Sequence, residues 1–358
     1  MGTVQLTIDF LLKEKIDNYF CLEWETREEP EVYPFFSNVK IPGNNFSYNF
    51  LNKLTHLPIM MSGKIKIRNK DKFLITLDIP EQPQQYTNIH FLKSHLQKCI
   101  RRKQHSRAIQ TARHLIDIDP IQFLRRLAII FVEDVMLTKH FSVLIWLLVA
   151  VSGNKLKLQL NHIEWLLGLV YIACLCPWKD AYDIPEEFHL YSNEKYAKYI
   201  LDSIKDIPDK SHQAIINALL IRASFGGMSG DLRLLLDAAF IWIRRFTGDD
   251  RRWEEYFNTQ MRSISGSVLP LEKRNWILSA IDFHCFPKML IWIKESNEEY
   301  EEDEIKHLIW NFSSKLNYRE WYEYNGDKYI PTNEEKERWK IIEKQVKSIG
   351  KYCITNFS

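Results

Sequence analysis

The chain has 358 residues, 46% apolar and 26% charged, with a net charge of +2. That length allows a sizeable core and two or three domains or one large helical body. The near-neutral charge excludes a global field that would draw in nucleic acid or membrane, so any such attraction must come from a local patch.

The 12 Gly and 13 Pro are few for this length, and the 11 Trp, 16 Tyr and 20 Phe are many. Both features favour packed helices over many short strands. The six cysteines are scattered, and Met1–Phe20 mixes charges into its apolar residues, unlike a secretory leader. These features predict free thiols and an intracellular protein, in cytoplasm or nucleus. Abundant Lys, Ile and Asn match AT-rich genomes such as those of large DNA viruses. The longest apolar run, Phe141–Val151, is about half of the roughly 20 residues a membrane span needs, so no membrane association is expected.

Residues 1–88 are punctuated by prolines and asparagines. Thr3–Phe20 reads as a strand and a short helix. Lys64–Arg68 (KIKIR), a turn at Asn69–Lys72 and Phe73–Ile79 (FLITLDI) read as a β-hairpin. This segment is expected to be a small α+β region that ends in a linker near Pro80–Tyr86. From Ile89 the apolar spacing becomes helical, giving a mainly α body. Its first module spans 89–190 and a C-terminal helical region spans 191–358. One basic helix is expected over Ile89–Ile116. Asp119 then caps a new helix with Pro120 in its first turn. Further helices are expected at 141–151, 162–176, 192–205, 211–225, 231–245, 271–283, 287–295, 303–314 and 333–352.

The basic helix carries the main functional signal. Between Gln82 and Ile116 there is no Asp or Glu, while Lys93, Lys98, Arg101, Arg102, Lys103, Arg107 and Arg113 supply seven positive charges. Such a density suits a phosphate backbone, with affinity that falls as salt rises. A solvated face, or a partner for the acidic run Glu298–Glu304, accounts for the same pattern. Arg125, Arg126, Glu133 and Asp134 form a second set. Arg126 and Glu133 lie two helical turns apart, which suits structural ion pairing.

Three weaker groupings follow. Arg222, Gly226, Gly227, Gly230, Asp231 and Arg233 surround a glycine-rich turn that opens a helix, a place where free N–H groups can hold an anion. No phosphate-loop lysine is present, and Asp231 equally suits an N-cap. Asp282 and His284 beside Cys285 are candidates for catalysis only if the fold supplies a further partner. Cys174 and Cys176 lack the spacing and neighbours of a zinc site, so neither metal nor cofactor is expected.

In order, Cys99–Arg102, Ala108, Ala112, Asp119-Pro120, Phe123–Leu127 (FLRRL) and Glu133–Val135 (EDV) resemble the helical region that follows the ATPase core in the replication-associated recombination protein A family. That family includes the Werner-helicase-interacting protein and is related to the AAA+ clamp loaders. The similarity covers about residues 89–153. It implies a collar-like helical module for oligomerisation or for docking on replication machinery. ATPase activity is not implied, because the chain has no G-x-x-x-x-G-K-[ST] loop and residues 1–88 are too short for an AAA+ core.

The resulting expectation is a non-enzymatic protein associated with DNA or another nucleic acid, acting with replication or repair proteins or with itself. The alternative is a structural or scaffold protein, viral for instance, that meets acidic protein surfaces. An enzyme built on Asp282 and His284 ranks third.

Overall fold

The computed structural model describes residues 19–25, 31–37, 46–66, 88–226, 229–265, 271–323 and 329–356. Its N-terminal part is a four-stranded sheet in the order β2-β1-β4-β3. The strands are β1 (Tyr19–Glu25), β2 (Glu31–Ser37), β3 (Phe46–Leu51) and β4 (Pro58–Lys66). β1 runs antiparallel to β2 and parallel to β4, and β3 is antiparallel to β4. The small sheet is therefore present, but its pairings differ from the expected hairpin. Lys64–Lys66 is the end of β4, and the Phe73–Ile79 half lies outside the described residues. Tyr19 and Phe20, expected in a helix, belong to β1.

The rest is mainly helical. α1 (Ile89–Arg101), α2 (His105–Ile118), α3 (Pro120–Glu133), α4 (Phe141–Ser152) and α5 (Leu160–Leu175) form the first group. α6 (Glu186–His189), α7 (Asn193–Ser203), α8 (Lys210–Ser224), α9 (Ser229–Thr247) and α10 (Glu254–Phe257) follow. α11 (Lys288–Glu295), α12 (Glu302–Ile309) and α13 (Asn333–Asn356) complete it. Two short strands, β5 (Trp178–Asp180) and β6 (Glu320–Tyr322), pair in parallel and join the segment after α5 to the segment before α13.

The single basic helix expected over residues 89–116 is two helices. α1 stops at Arg101 and Lys103 takes φ +55°. Lys103 N–H donates to Ile100 O and Gln104 N–H to Cys99 O, both at 2.9–3.0 Å, which is the double closure of a Schellman end. A Lys stands where Gly is usual, so the stop carries no glycine signal, and the basic turn Cys99–Arg102 is its mark in the sequence. α3 begins as expected, with the Asp119 carboxylate accepting from Gln122 N–H at 3.0 Å and Pro120 in the first turn.

α4 is the centre of the core. Every residue from Phe141 to Val151 is buried, which explains an apolar run with no polar face. The Trp146 indole donates to Ser62 O at 3.1 Å and so pins β4 to this helix. One connected apolar core includes Phe20, Trp24 and Met61 of the sheet, the faces of α1–α5, and Ile342 and Val346 of α13.

The expected helix over 271–283 is absent. Only 3-10 turns form, at Lys273–Asn275 and Leu278–Ala280. The backbone there bonds side chains of α1 instead: Ile277 N–H donates to His95 Nε2 at 2.9 Å, while Ser94 Oγ and Lys98 Nζ donate to Ala280 O. Likewise the expected helix over 303–314 is α12 followed by a π-type turn, Trp310–Ser314.

α13 lies closely on the 3-10 turn at Leu278–Ala280. A Cβ placed on Gly350 would stand 2.3 Å from Leu278 O, a backbone atom that cannot swing aside. Helix propensity alone would favour Gly350→Ala by about 1 kcal/mol. Overpacking costs about 1–3 kcal/mol and should win. Gly350→Ala is predicted to lower the urea midpoint; an unchanged or raised midpoint would contradict this packing.

Candidate functional site: the basic region of the first helices

The C-terminal end of α1 turns its cations inward. Lys98 is 4% exposed, and its ammonium contacts Asp282 at 2.7 Å, Ala280 O at 2.8 Å and Ser94 Oγ at 2.9 Å. Arg101 is 7% exposed and meets Asp134 at 2.5 Å and Glu133 at 2.8 Å, and it also donates to Ser314 O. Arg102, also buried, donates to Ser279 Oγ and to Ser313 O and Oγ, each at 3.2 Å. Ser313 and Ser314 end the π-type turn, where the last carbonyls of a helical segment are open to side-chain donors.

Arg319, which the sequence did not single out, completes the cluster. It donates to Ile100 O at 2.7 Å and to Ala173 O at 2.5 Å, so it satisfies the carbonyl ends of both α1 and α5.

This arrangement changes the reading of the seven basic residues. Lys98, Arg101 and Arg102 are internal and hold the fold together. Arg113 is buried too and pairs with Asp117 at 2.6 Å, four residues on. Arg107 is half-buried and donates to Gln104 Oε1, whereas Lys103 is exposed in the turn. Lys93 is half-buried on another face of α1 and donates to Gln122 Oε1 at 3.2 Å. The seven cations are therefore not one surface.

The second set is also regrouped. Glu133 and Asp134 pair with Arg101, not with Arg125 or Arg126. Burial raises the Glu133 pKa, and the repulsion of the adjacent Asp134 carboxylate raises it further, despite Arg101. Arg126 donates to Gln97 Oε1 at 3.3 Å, and Arg125 donates to Phe225 O at 3.2 Å. Arg126 and Glu133 are two turns apart, as expected, but Gln97 and Arg101 of α1 come between them: Gln97 Nε2 donates to both Glu133 and Asp134.

The fold gathers a different cationic group: Lys93 of α1, Arg125 and Arg126 of α3, and Arg222 of α8. Burial lowers the Lys93 pKa, and the charges of Arg126 and Arg125 lower it further. Arg222 is 2% exposed; burial, followed by the charge of Arg125, brings its pKa down to about 10. Among the described residues, no carboxylate lies within ion-pair distance of any of the four. Asp119 and Asp231 moderate the field from farther off.

The glycine-rich turn lies against this group. Gly226 takes φ +75°, and its carbonyl accepts from Arg222 at 2.8 Å. Arg222 also donates to Arg125 O at 3.3 Å. Gly230 is exposed, Asp231 is in the first turn of α9, and Gly227 lies outside the described residues. Arg233 is not part of the group. It pairs with Asp237 at 3.2 Å, donates to Phe188 O at 2.5 Å and lies over the Tyr196 ring.

Asp282 and His284 do meet: His284 Nδ1 is 3.2 Å from Asp282 Oδ1. Burial raises the Asp282 pKa. The Lys98 charge and hydrogen bonds from His284, Lys98 and Ser314 more than offset this and hold it well below the usual carboxylate range. Among the described residues, no hydroxyl or thiol is hydrogen-bonded to His284, and burial pushes the Cys285 thiol up to about 11. The pair therefore has an orienting carboxylate but no activated nucleophile. Burial likewise pushes the Cys174 thiol up to about 12. Among the described residues, no three His, Cys, Asp or Glu side chains gather as metal ligands, and no helix is long and apolar enough to cross a membrane.

His95, His140 and His162 are buried, and burial favours their neutral form. His95 bonds Thr111 Oγ1 through Nδ1 at 2.8 Å and accepts at Nε2 from Ile277 N–H. Burial brings His95 down to about 3 and His140 and His162 to about 4, from an ordinary 6.5. A depressed folded-state pKa means that the unfolded chain takes up the proton first. Stability is therefore complete above pH 6.5 and is lost as pH falls from there toward the folded values. Each histidine contributes up to about 1.4 kcal/mol per pH unit in that window. Urea unfolding at pH 7.5, 6 and 5 should give steadily falling midpoints. A flat profile across that range would contradict neutral burial.

No protein-family model, curated protein or solved structure matches this chain.

Proposed function

We propose that the protein is a non-enzymatic binder of nucleic acid, and that the phosphate-contacting face is the α1/α3 surface of Lys93, Arg125 and Arg126 rather than the whole basic stretch. The observation that carries this reading is the uncompensated charge. Three half-buried cations adjoin a fourth, buried one, with no carboxylate at ion-pair distance among the described residues. Like charges held together in partly desolvated surroundings are costly, and an anion bridging them relieves that cost. A phosphate backbone supplies repeated anions with no demand for a preformed pocket.

Docking on replication or repair machinery through the helical module, as the resemblance over residues 89–153 implies, remains part of this proposal. The scaffold alternative loses its internal analogue. The acidic run is held locally, with Glu301 on Lys294, Glu302 and Asp303 on Lys306, and Glu304 on Arg338. It is not the partner of the basic residues.

Fluorescence anisotropy with labelled single- and double-stranded DNA and RNA over a salt series tests the proposal. A Lys93→Gln/Arg125→Gln/Arg126→Gln variant is expected to bind more weakly, with a log–log salt slope shallower by about 2–3. A Lys195→Gln/Lys205→Gln/Lys210→Gln control, altered at exposed lysines elsewhere, should bind like the parent. No binding at low salt, or equal loss in the control, would defeat the proposal.

A further inference from the structure

A cleft of about 290 Å³ lies beside the C-terminal end of α9, lined in part by Asp183, Arg244, Arg245, Asp250 and Glu323. At its base Arg245 is 6% exposed. Its guanidinium lies over both the Trp242 and Tyr322 rings, with Cζ 4.8 Å from each centroid. Nη1 donates to the fully buried Asp180 carboxylate at 2.9 Å, and the Trp242 indole donates to the other oxygen of Asp180 at 3.1 Å.

The other edge of the guanidinium is unused. Arg245 Nε and Nη2 have no hydrogen-bond acceptor among the described residues, and the neighbouring Tyr182 and Tyr322 hydroxyls are also without partners. A buried guanidinium N–H left unpaired is costly. Glu323 approaches this edge without bonding to it: its carboxylate is 3.6 Å from Nη2. Glu323 is held at φ +57°, a conformation that non-glycine residues rarely adopt, and its side chain is 39% exposed.

We propose that this cleft binds a small monocarboxylate, which takes the Nε/Nη2 edge of Arg245 in the place that Glu323 approaches here. A carboxylate matches the two parallel N–H groups of that edge, and the Asp180 hydrogen bond and the two ring contacts already hold the guanidinium in place. The charges also fit. Asp180 balances Arg245, and Arg252 balances Asp250 through contacts of 3.0 and 2.5 Å. Exchanging the Glu323 carboxylate for a ligand carboxylate leaves the cleft's charge unchanged. Arg244, exposed on the lining, supplies a cation at the mouth. Asp183 and Asp250 on the same wall disfavour polyanions such as phosphates, which separates this site from the nucleic-acid face.

Thermal unfolding and calorimetric titration of the full chain with acetate, propionate and benzoate test the site, using chloride at equal ionic strength as reference and inorganic phosphate as the competing class. The carboxylates should raise Tm in a concentration-dependent way and phosphate should not. Glu323→Gln removes the competing carboxylate and should bind about tenfold tighter. Arg244→Gln should bind several-fold more weakly, and Arg245→Lys should lose binding. Arg245→Lys also disturbs a buried ion pair, so the Glu323→Gln result decides if that variant fails to fold. No carboxylate effect in either the parent or Glu323→Gln would mean that the cleft holds only water, and would overturn the proposal. A carboxylate effect indifferent to Glu323 and Arg244 would place binding elsewhere and overturn it equally.

Discussion

The last turn of α1 is the constraint on which the rest depends. Lys98, Arg101 and Arg102 enter the interior together and must each be paired there, because an isolated buried cation costs several kcal/mol. Their partners come from distant parts of the chain: Glu133 and Asp134 end α3, Ser279 to Asp282 lie in and just after the second 3-10 turn, and Ser313 and Ser314 sit in the π-type turn. Arg319 then closes the carbonyl ends of α1 and α5. The helices supply the apolar burial, and this ionic junction fixes which of their ends meet. It also explains two local irregularities. The 271–283 segment is drawn out of helix to satisfy α1 side chains, and the π turn after α12 ends with its Ser313 and Ser314 carbonyls on Arg102 and Arg101.

Much of the helical body was legible. The Asp119-Pro120 start, the all-apolar α4 and the absence of a membrane-length helix among the described residues follow from composition and spacing. The basic turn Cys99–Arg102 marks the end of α1, but the tight closure at Lys103 was not legible, because a lysine at positive φ carries none of glycine's signal. The 271–283 segment has helical spacing, yet its backbone bonds are taken by His95, Ser94 and Lys98 from nearly 200 residues away in sequence. Local propensity holds no information about that.

The candidate site shows the same limit more sharply. A run of basic residues with no acids nearby has the composition of a phosphate-binding helix. The compensating acids, Asp134 and Asp282, stand about 30 and 180 positions further on, and the fold brings them in. Conversely, Arg125 and Arg126 look like partners of Glu133 along one helix. They become the unpaired cations because Arg101 takes that carboxylate first. Arg245 was unmarked in sequence, since Trp242 is near it in the chain but Asp180 and Tyr322 are not. In each case the amino-acid type was readable and the pairing was not, because pairing is a long-range outcome of which helix ends meet.

A double-mutant cycle between Arg101 and Asp134 tests the central claim most directly. Urea unfolding would be measured for the parent, Arg101→Met, Asp134→Leu and the combination. Each single variant leaves one buried charge unpaired and should cost about 3–5 kcal/mol. The double variant should cost less than the sum by about 1.5 kcal/mol or more. Additivity within about 0.5 kcal/mol, or single costs typical of an exposed pair, would contradict an internal ionic junction. Arg101 would then return to the surface as a candidate phosphate contact.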